Sequence, residues 1–200
     1  MKQNFLLVED DNNQLRNEIG QLVDYKAELP EQVFKEPELF DFYFNYFYDC
    51  YADKFINDLN RIGQQLQQEK IRLFTPLYFY ERKMKIFLKQ MDVPYAELST
   101  DITEKEYSDI LLYKLRESAE IDFTDFDYLF WYFNPDCFIY GDKTSEISIL
   151  AIKKSLSIKN PLKNWGEVEL FAANPGEEWS PWLKDEVKFL TDIIAHYHNK

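Results

Sequence analysis

The chain has 200 residues, with 23 Lys plus Arg against 36 Asp plus Glu, a net charge of −13, and 18% aromatic residues. This length fits one globular domain over residues 1–200, with a core large enough to need neither disulfide nor metal. The 17 Phe, 14 Tyr and 4 Trp argue against disorder, and the acidity disfavours nucleic acid and anionic membrane as partners.

The N-terminus turns acidic at Glu9-Asp10-Asp11, too soon for a secretory signal. Apolar stretches such as Leu129 to Phe133 fall far short of the roughly 20 residues of a membrane span. Cys50 and Cys137 sit in aromatic surroundings and read as small buried hydrophobes of a cytoplasmic protein.

Tyr25 to Pro37, with Pro30 and several charges, reads as a loop inside the domain. From Phe40, apolar residues recur at Phe44, Phe47, Tyr51, Phe55, Leu59, Ile62 and Leu66. Asp41, Asn45, Asp49 and Asp53 recur every fourth position. The double periodicity predicts one helix of about seven turns with an acidic face, against a strand reading of the opening Phe-Asp-Phe-Tyr-Phe-Asn-Tyr-Phe-Tyr.

Thr75-Pro76 starts a second predicted helix that runs to about Met91. Thr103-Glu104-Lys105-Glu106 is a capping box before Tyr107, Ile110, Leu111 and Leu115. Thr124 with Asp127 predicts a further helix with Phe126, Leu129, Phe130 and Phe133 on one face, ended by Asn134-Pro135. Cys137 to Tyr140, a turn from Gly141 to Ser145, and Ile147 to Ile152 predict a β-hairpin. Val168 to Ala172 is a weaker strand, and Ser180-Pro181 opens a last helix through Val187, Leu190, Ile193, Ile194 and Tyr197. The expected fold is α+β: a predominantly helical single domain with a small antiparallel β-sheet in the C-terminal half.

The charge is uneven. Residues 1–60 carry 13 acidic and 5 basic side chains (−8), residues 61–100 carry 4 and 7 (+3), residues 101–150 carry 12 and 4 (−8), and residues 151–200 carry 7 and 7. Two acidic segments thus flank a mildly basic one.

Motifs for catalysis are sparse. Phe5-Leu6-Leu7-Val8-Glu9-Asp10-Asp11 resembles the first strand and acidic pair of response-regulator receiver domains. That family holds magnesium beside a phosphorylated Asp on a later strand, and no such strand follows near residues 50–60. Pro135-Asp136 invites comparison with metal-dependent nucleases, but Ala151-Ile152-Lys153 lacks their second carboxylate. Asp136, Asp142 and Glu146 cluster in sequence around the hairpin and form an alternative carboxylate site, for a hydrolase working with or without metal. His196 and His198, the only histidines, would point to different sides of a helix. No cofactor motif, Gly-rich phosphate loop or cysteine cluster is present, so the reading leans away from an enzyme.

The acidic positions Asp41, Asn45, Asp49 and Asp53, with Tyr48 beside them, are the expected partner-binding residues. Carboxylates beside tyrosines would steer and then anchor a basic protein. The leading expectation is a cytoplasmic inhibitory protein of the immunity-protein or antitoxin kind, bound to a basic bacterial toxin. Carboxylate-dependent hydrolysis and nucleic-acid mimicry are the alternatives.

Overall fold

In the computed structural model, which describes residues 6–7, 12–75, 95–112, 122–156, 158, 164–174, 179 and 185–198, the longest aromatic runs of the sequence are strands. Strands β1 (Leu6–Leu7), β2 (Phe40–Tyr46), β3 (Lys70–Phe74), β4 (Tyr95–Ser99), β5 (Tyr128–Asn134), β6 (Cys137–Asp142) and β7 (Ile147–Lys153) form one sheet in the order β1-β4-β3-β5-β6-β7-β2. Every pairing in it is antiparallel. Helices α1 (Asn12–Leu22), α2 (Asp53–Leu66), α3 (Glu104–Leu111), α4 (Val168–Ala173) and α5 (Glu186–Tyr197) complete the described elements.

The sheet is covered on both faces. One face carries Phe40, Phe42, Phe44, Phe130, Phe138 and Ile149, packed under α1, α4, α5 and the loop bearing Val33 and Phe34. The other carries Leu73, Leu98, Leu129, Trp131, Ile139 and Leu150 under α2 and α3. A sheet covered on both sides has no polar face, so its inner strands lose the alternation that marks a strand. All six residues from Tyr128 to Phe133, and the whole of β6, are buried.

The predominantly helical reading with a small late sheet is therefore overturned: the mixture of helix and strand stands, but the sheet has seven strands and organises the chain. Phe40 to Leu66 is three elements, not one helix. Phe40, Phe42 and Phe44 enter the core from alternate positions of β2. A 3-10 turn at Phe47–Tyr51 follows, and α2 begins only at Asp53. The segment expected to be a helix after Thr124 is a short 3-10 turn, Phe123–Asp125, capped by Asp122, followed by β5. Val168–Ala173 is helical, not a strand. Val168 and Phe171, three residues apart, reach the core from one side of it.

Other expectations match. The Thr103–Glu106 capping box starts α3, the hairpin is β6–β7, and α5 ends the described chain. Both cysteines are free and buried, and burial pushes both thiols up, which keeps them inert. The helix expected after Thr75-Pro76 lies outside the described residues, as do Ser180 and Pro181, while the last helix starts only at Glu186, the Asp185 carboxylate capping it by accepting the Lys188 amide. Antiparallel pairing of β1 with β4 also removes the receiver resemblance, which requires a parallel sheet. Among the described residues, no helix is long and apolar enough to cross a membrane.

Gly141 in β6 shows how closely the layers meet. A Cβ there would lie 2.8 Å from Phe47 Cε2 and 3.0 Å from Trp131 Cζ3, two fully buried rings. Gly141→Ala is expected to cost about 1–3 kcal/mol through overpacking. Urea denaturation reads this directly, and an unchanged midpoint would show that both rings can give way.

Candidate protein-interaction surface

The 3-10 turn at Phe47–Tyr51 sorts its side chains by a period of three. Phe47 and Cys50 point inward and are fully buried, while Tyr48 is 38% exposed. Three contacts fix the turn. The Phe47 amide donates to the Glu146 carbonyl (2.9 Å), Cys50 Sγ lies 3.1 Å from Ser148 Oγ, and the Tyr107 hydroxyl donates to the Cys50 carbonyl (2.9 Å). The rings of Tyr46, Tyr48 and Tyr51 form a continuous aromatic strip, with centroids 5.3 Å apart for the first pair and 6.2 Å for the second.

The two acidic segments of the sequence meet around this strip. Burial raises the Tyr48 phenol, and the Glu146 carboxylate raises it further. Burial likewise raises Tyr51, with Asp122 and Asp125 adding to the rise. Asp122 and Asp125 cap one another's turn, the Asp122 amide donating to Asp125 Oδ2 at 2.9 Å. Asp49 lies in the same turn as Tyr48 and pairs with Lys54 at 2.9 Å. The Tyr51 hydroxyl is buried without a hydrogen-bond partner.

The four expected acidic positions do not share one helical face. Asp41 and Asn45 belong to β2, Asp49 to the 3-10 turn and Asp53 to the first turn of α2. Asn45 is only 8% exposed, its Oδ1 accepting the Tyr46 amide at 2.9 Å. Of the expected partner-binding residues, the structure brings Tyr48 and Asp49 together in one turn. It adds Tyr51, Asp122 and Asp125, which one-dimensional spacing does not select, together with Tyr46 of the same aromatic segment and Glu146 of the alternative carboxylate site. The alternation of Phe40, Phe42 and Phe44 was the available signal, since a strand there ends at Tyr46 and frees the next turn for the surface.

The alternative carboxylates are not gathered into one site. Asp136 and Asp142 sit at opposite ends of β6, about 20 Å apart at strand rise, and only Glu146 shares Asp142's turn. Asp136 Oδ1 accepts the Lys153 ammonium at 2.7 Å. The nuclease-like aspartate and lysine are therefore adjacent, but Ala151 is a fully buried methyl where that chemistry needs a carboxylate. Among the described residues no group of three His, Cys, Asp or Glu is placed to hold a metal ion. His196 Nδ1 contacts the Pro30 carbonyl at 2.7 Å and His198 contacts Glu169, so the histidines serve separate partners.

A concavity of about 460 Å³ lies at the end of β3 and β5, lined in part by Glu18, Lys70, Arg72 and Tyr132. Both of its cations are paired within the chain, Arg72 with Glu18 at 3.7 Å and Lys70 with Glu97 at 2.9 Å, and Glu69 adds a further carboxylate to the lining.

Comparison with protein-family models, with curated proteins and with solved structures gives no match. Fold and surface therefore define the class: an acidic α+β domain in which carboxylates of both acidic segments lie around a partly buried tyrosine strip that exposes Tyr48.

Proposed function

We propose that this chain is an inhibitory binding protein that captures a basic protein through the Tyr48 surface, most concretely as an immunity protein or antitoxin against a nuclease-like toxin. The convergence of residues 46–51 with Asp122, Asp125 and Glu146 supports this reading. Carboxylates around an aromatic strip speed encounter with a cationic surface, and tyrosine rings then supply area and cation–π contacts at low entropic cost. The net charge of −13 works in the same direction over longer range.

Affinity capture from the source cell tests the proposal. At low salt the wild-type chain should retain a basic protein that is released as ionic strength rises. Tyr48→Ala should weaken retention at least about tenfold, as loss of a central aromatic anchor does, and Asp49→Lys combined with Glu146→Lys should abolish it. Equal retention by all three proteins would remove this surface from the interaction, and no retained basic protein would remove the function.

A further inference from the structure

Asp142 closes β6 and is 3% exposed. Its Oδ1 accepts the Thr144 amide at 2.9 Å and the Ser145 amide at 3.2 Å, so one carboxylate oxygen shapes the turn between β6 and β7. The same turn is tied to its surroundings. The Lys143 amide donates to the Asp127 carbonyl (2.8 Å), the Lys143 ammonium to the Thr124 carbonyl (2.8 Å), and the Trp179 indole to the Ser145 carbonyl (3.1 Å). Glu146 follows with φ at 57°, in the left-handed region, and its carbonyl receives the Phe47 amide. A short hydrogen-bonded path thus leads from a buried carboxylate to the turn carrying Tyr48.

Several titratable groups surround Asp142. Tyr128 is its cross-strand partner on β5, Tyr140 lies on β6 with its hydroxyl buried and unbonded, and Tyr197 comes from α5. Glu28 approaches from the loop after α1, and Asp127, Lys143 and Glu146 belong to the adjoining turns. Burial pushes the Asp142 carboxyl up to about 7 against the opposing pull of the Ser145 and Thr144 hydrogen bonds, and Glu28 adds to the rise.

We propose that Asp142 is the protonation switch of the Tyr48 surface: its ionised form holds the β6–β7 turn and favours a cationic partner, and its neutral form loosens that hold. The inference rests on the Tyr48 surface being the docking site. Charge-assisted hydrogen bonds to the turn amides are stronger than those to a neutral carboxyl, so ionisation tightens the turn whose Glu146 carbonyl holds the Phe47 amide. Linkage is reciprocal, so a partner that prefers the ionised form releases a proton when it binds. Affinity therefore rises between pH 6 and pH 8.

The test has two arms. In the wild-type protein without any partner, NMR titration of the Asp142 carboxyl carbon, the Phe47 amide and the Tyr48 ring should give one shared midpoint. A Phe47 amide and Tyr48 ring that do not follow Asp142 would overturn the switch, and this arm needs no variant to fold. In the second arm, octalysine peptide is titrated at pH 6 and pH 8. Wild type should bind about fivefold more tightly at pH 8, and Asp142→Asn should bind equally at both. The same pH dependence in Asp142→Asn would overturn the switch. Octalysine binding that Tyr48→Ala leaves unchanged would instead sink the docking surface, whatever the first arm shows.

Discussion

Asp142→Asn is expected to be more stable than wild type at pH 8 and nearly equal to it at pH 4. The folded chain holds the Asp142 carboxyl at about 7 against an ordinary value of 3.8. Between those values the native state binds the extra proton, so stability falls as pH rises through the window and levels off above it. At 1.36 kcal/mol per pH unit the full span is worth about 4 kcal/mol. The asparagine Oδ1 can still accept the Thr144 and Ser145 amides, though more weakly than a carboxylate does, so the hairpin stays folded with a looser turn while the buried charge disappears. A gain of roughly 10 °C in Tm at pH 8 is expected for a chain of this size, shrinking towards zero near pH 4. Melting both proteins across that range checks it. Parallel curves would show that Asp142 is ionised in the fold at little cost.

That buried aspartate was legible in sequence only as a turn residue. The hairpin around it could be read because Gly141 to Ser145 is rich in turn formers and the flanking runs are β-branched and aromatic. Likewise Thr103 and Glu106 announced α3 through a local, reciprocal contact that tertiary context did not override. What failed were the aromatic runs. A run such as Tyr128 to Phe133, buried on both faces, carries no period at all, and the pattern of Thr124 with Asp127 caps no helix: Asp122 and Asp125 cap a single 3-10 turn before the strand. At Phe40 the period-two signal was present but was outvoted by the four-residue spacing of Asp41, Asn45, Asp49 and Asp53. That spacing crosses three elements and has no structural meaning.

The surface was legible only in part for a related reason. Tyr48 and Asp49 were named for proximity to a helix face that does not exist, yet both lie at the proposed surface. Glu146 could not be joined to them from sequence, because the joining contact is the pairing of β2 with β7, about a hundred residues apart in the chain, and Asp122 and Asp125 lie in a separate 3-10 turn before β5. The division into two acidic segments, each of charge −8, did hold the information. What was missing was the register that folds one segment against the other.

The inner side of the same turn yields the second large expected effect, in Tyr107→Phe. The Trp131 indole donates to the Tyr107 hydroxyl at 2.9 Å, and that hydroxyl donates to the Cys50 carbonyl at 2.9 Å. All three residues are buried, with Tyr107 and Trp131 almost completely shielded from water. Phenylalanine keeps the ring and its packing against Phe55, so little cavity forms. The change strands an indole N–H and a carbonyl oxygen together, at about 1–3 kcal/mol for each stranded group, and a loss of roughly 2–6 kcal/mol is expected. Because Cys50 lies in the turn that presents Tyr48, the loss should reach the surface as well as the core. A double-mutant cycle with Trp131→Phe isolates the bond from packing: the two substitutions should be less damaging together than their sum by about 0.5 kcal/mol or more. Strict additivity in urea denaturation would mean that the hydroxyl does not couple α3 to the sheet, and the turn would then be held by Glu146 and Ser148 alone.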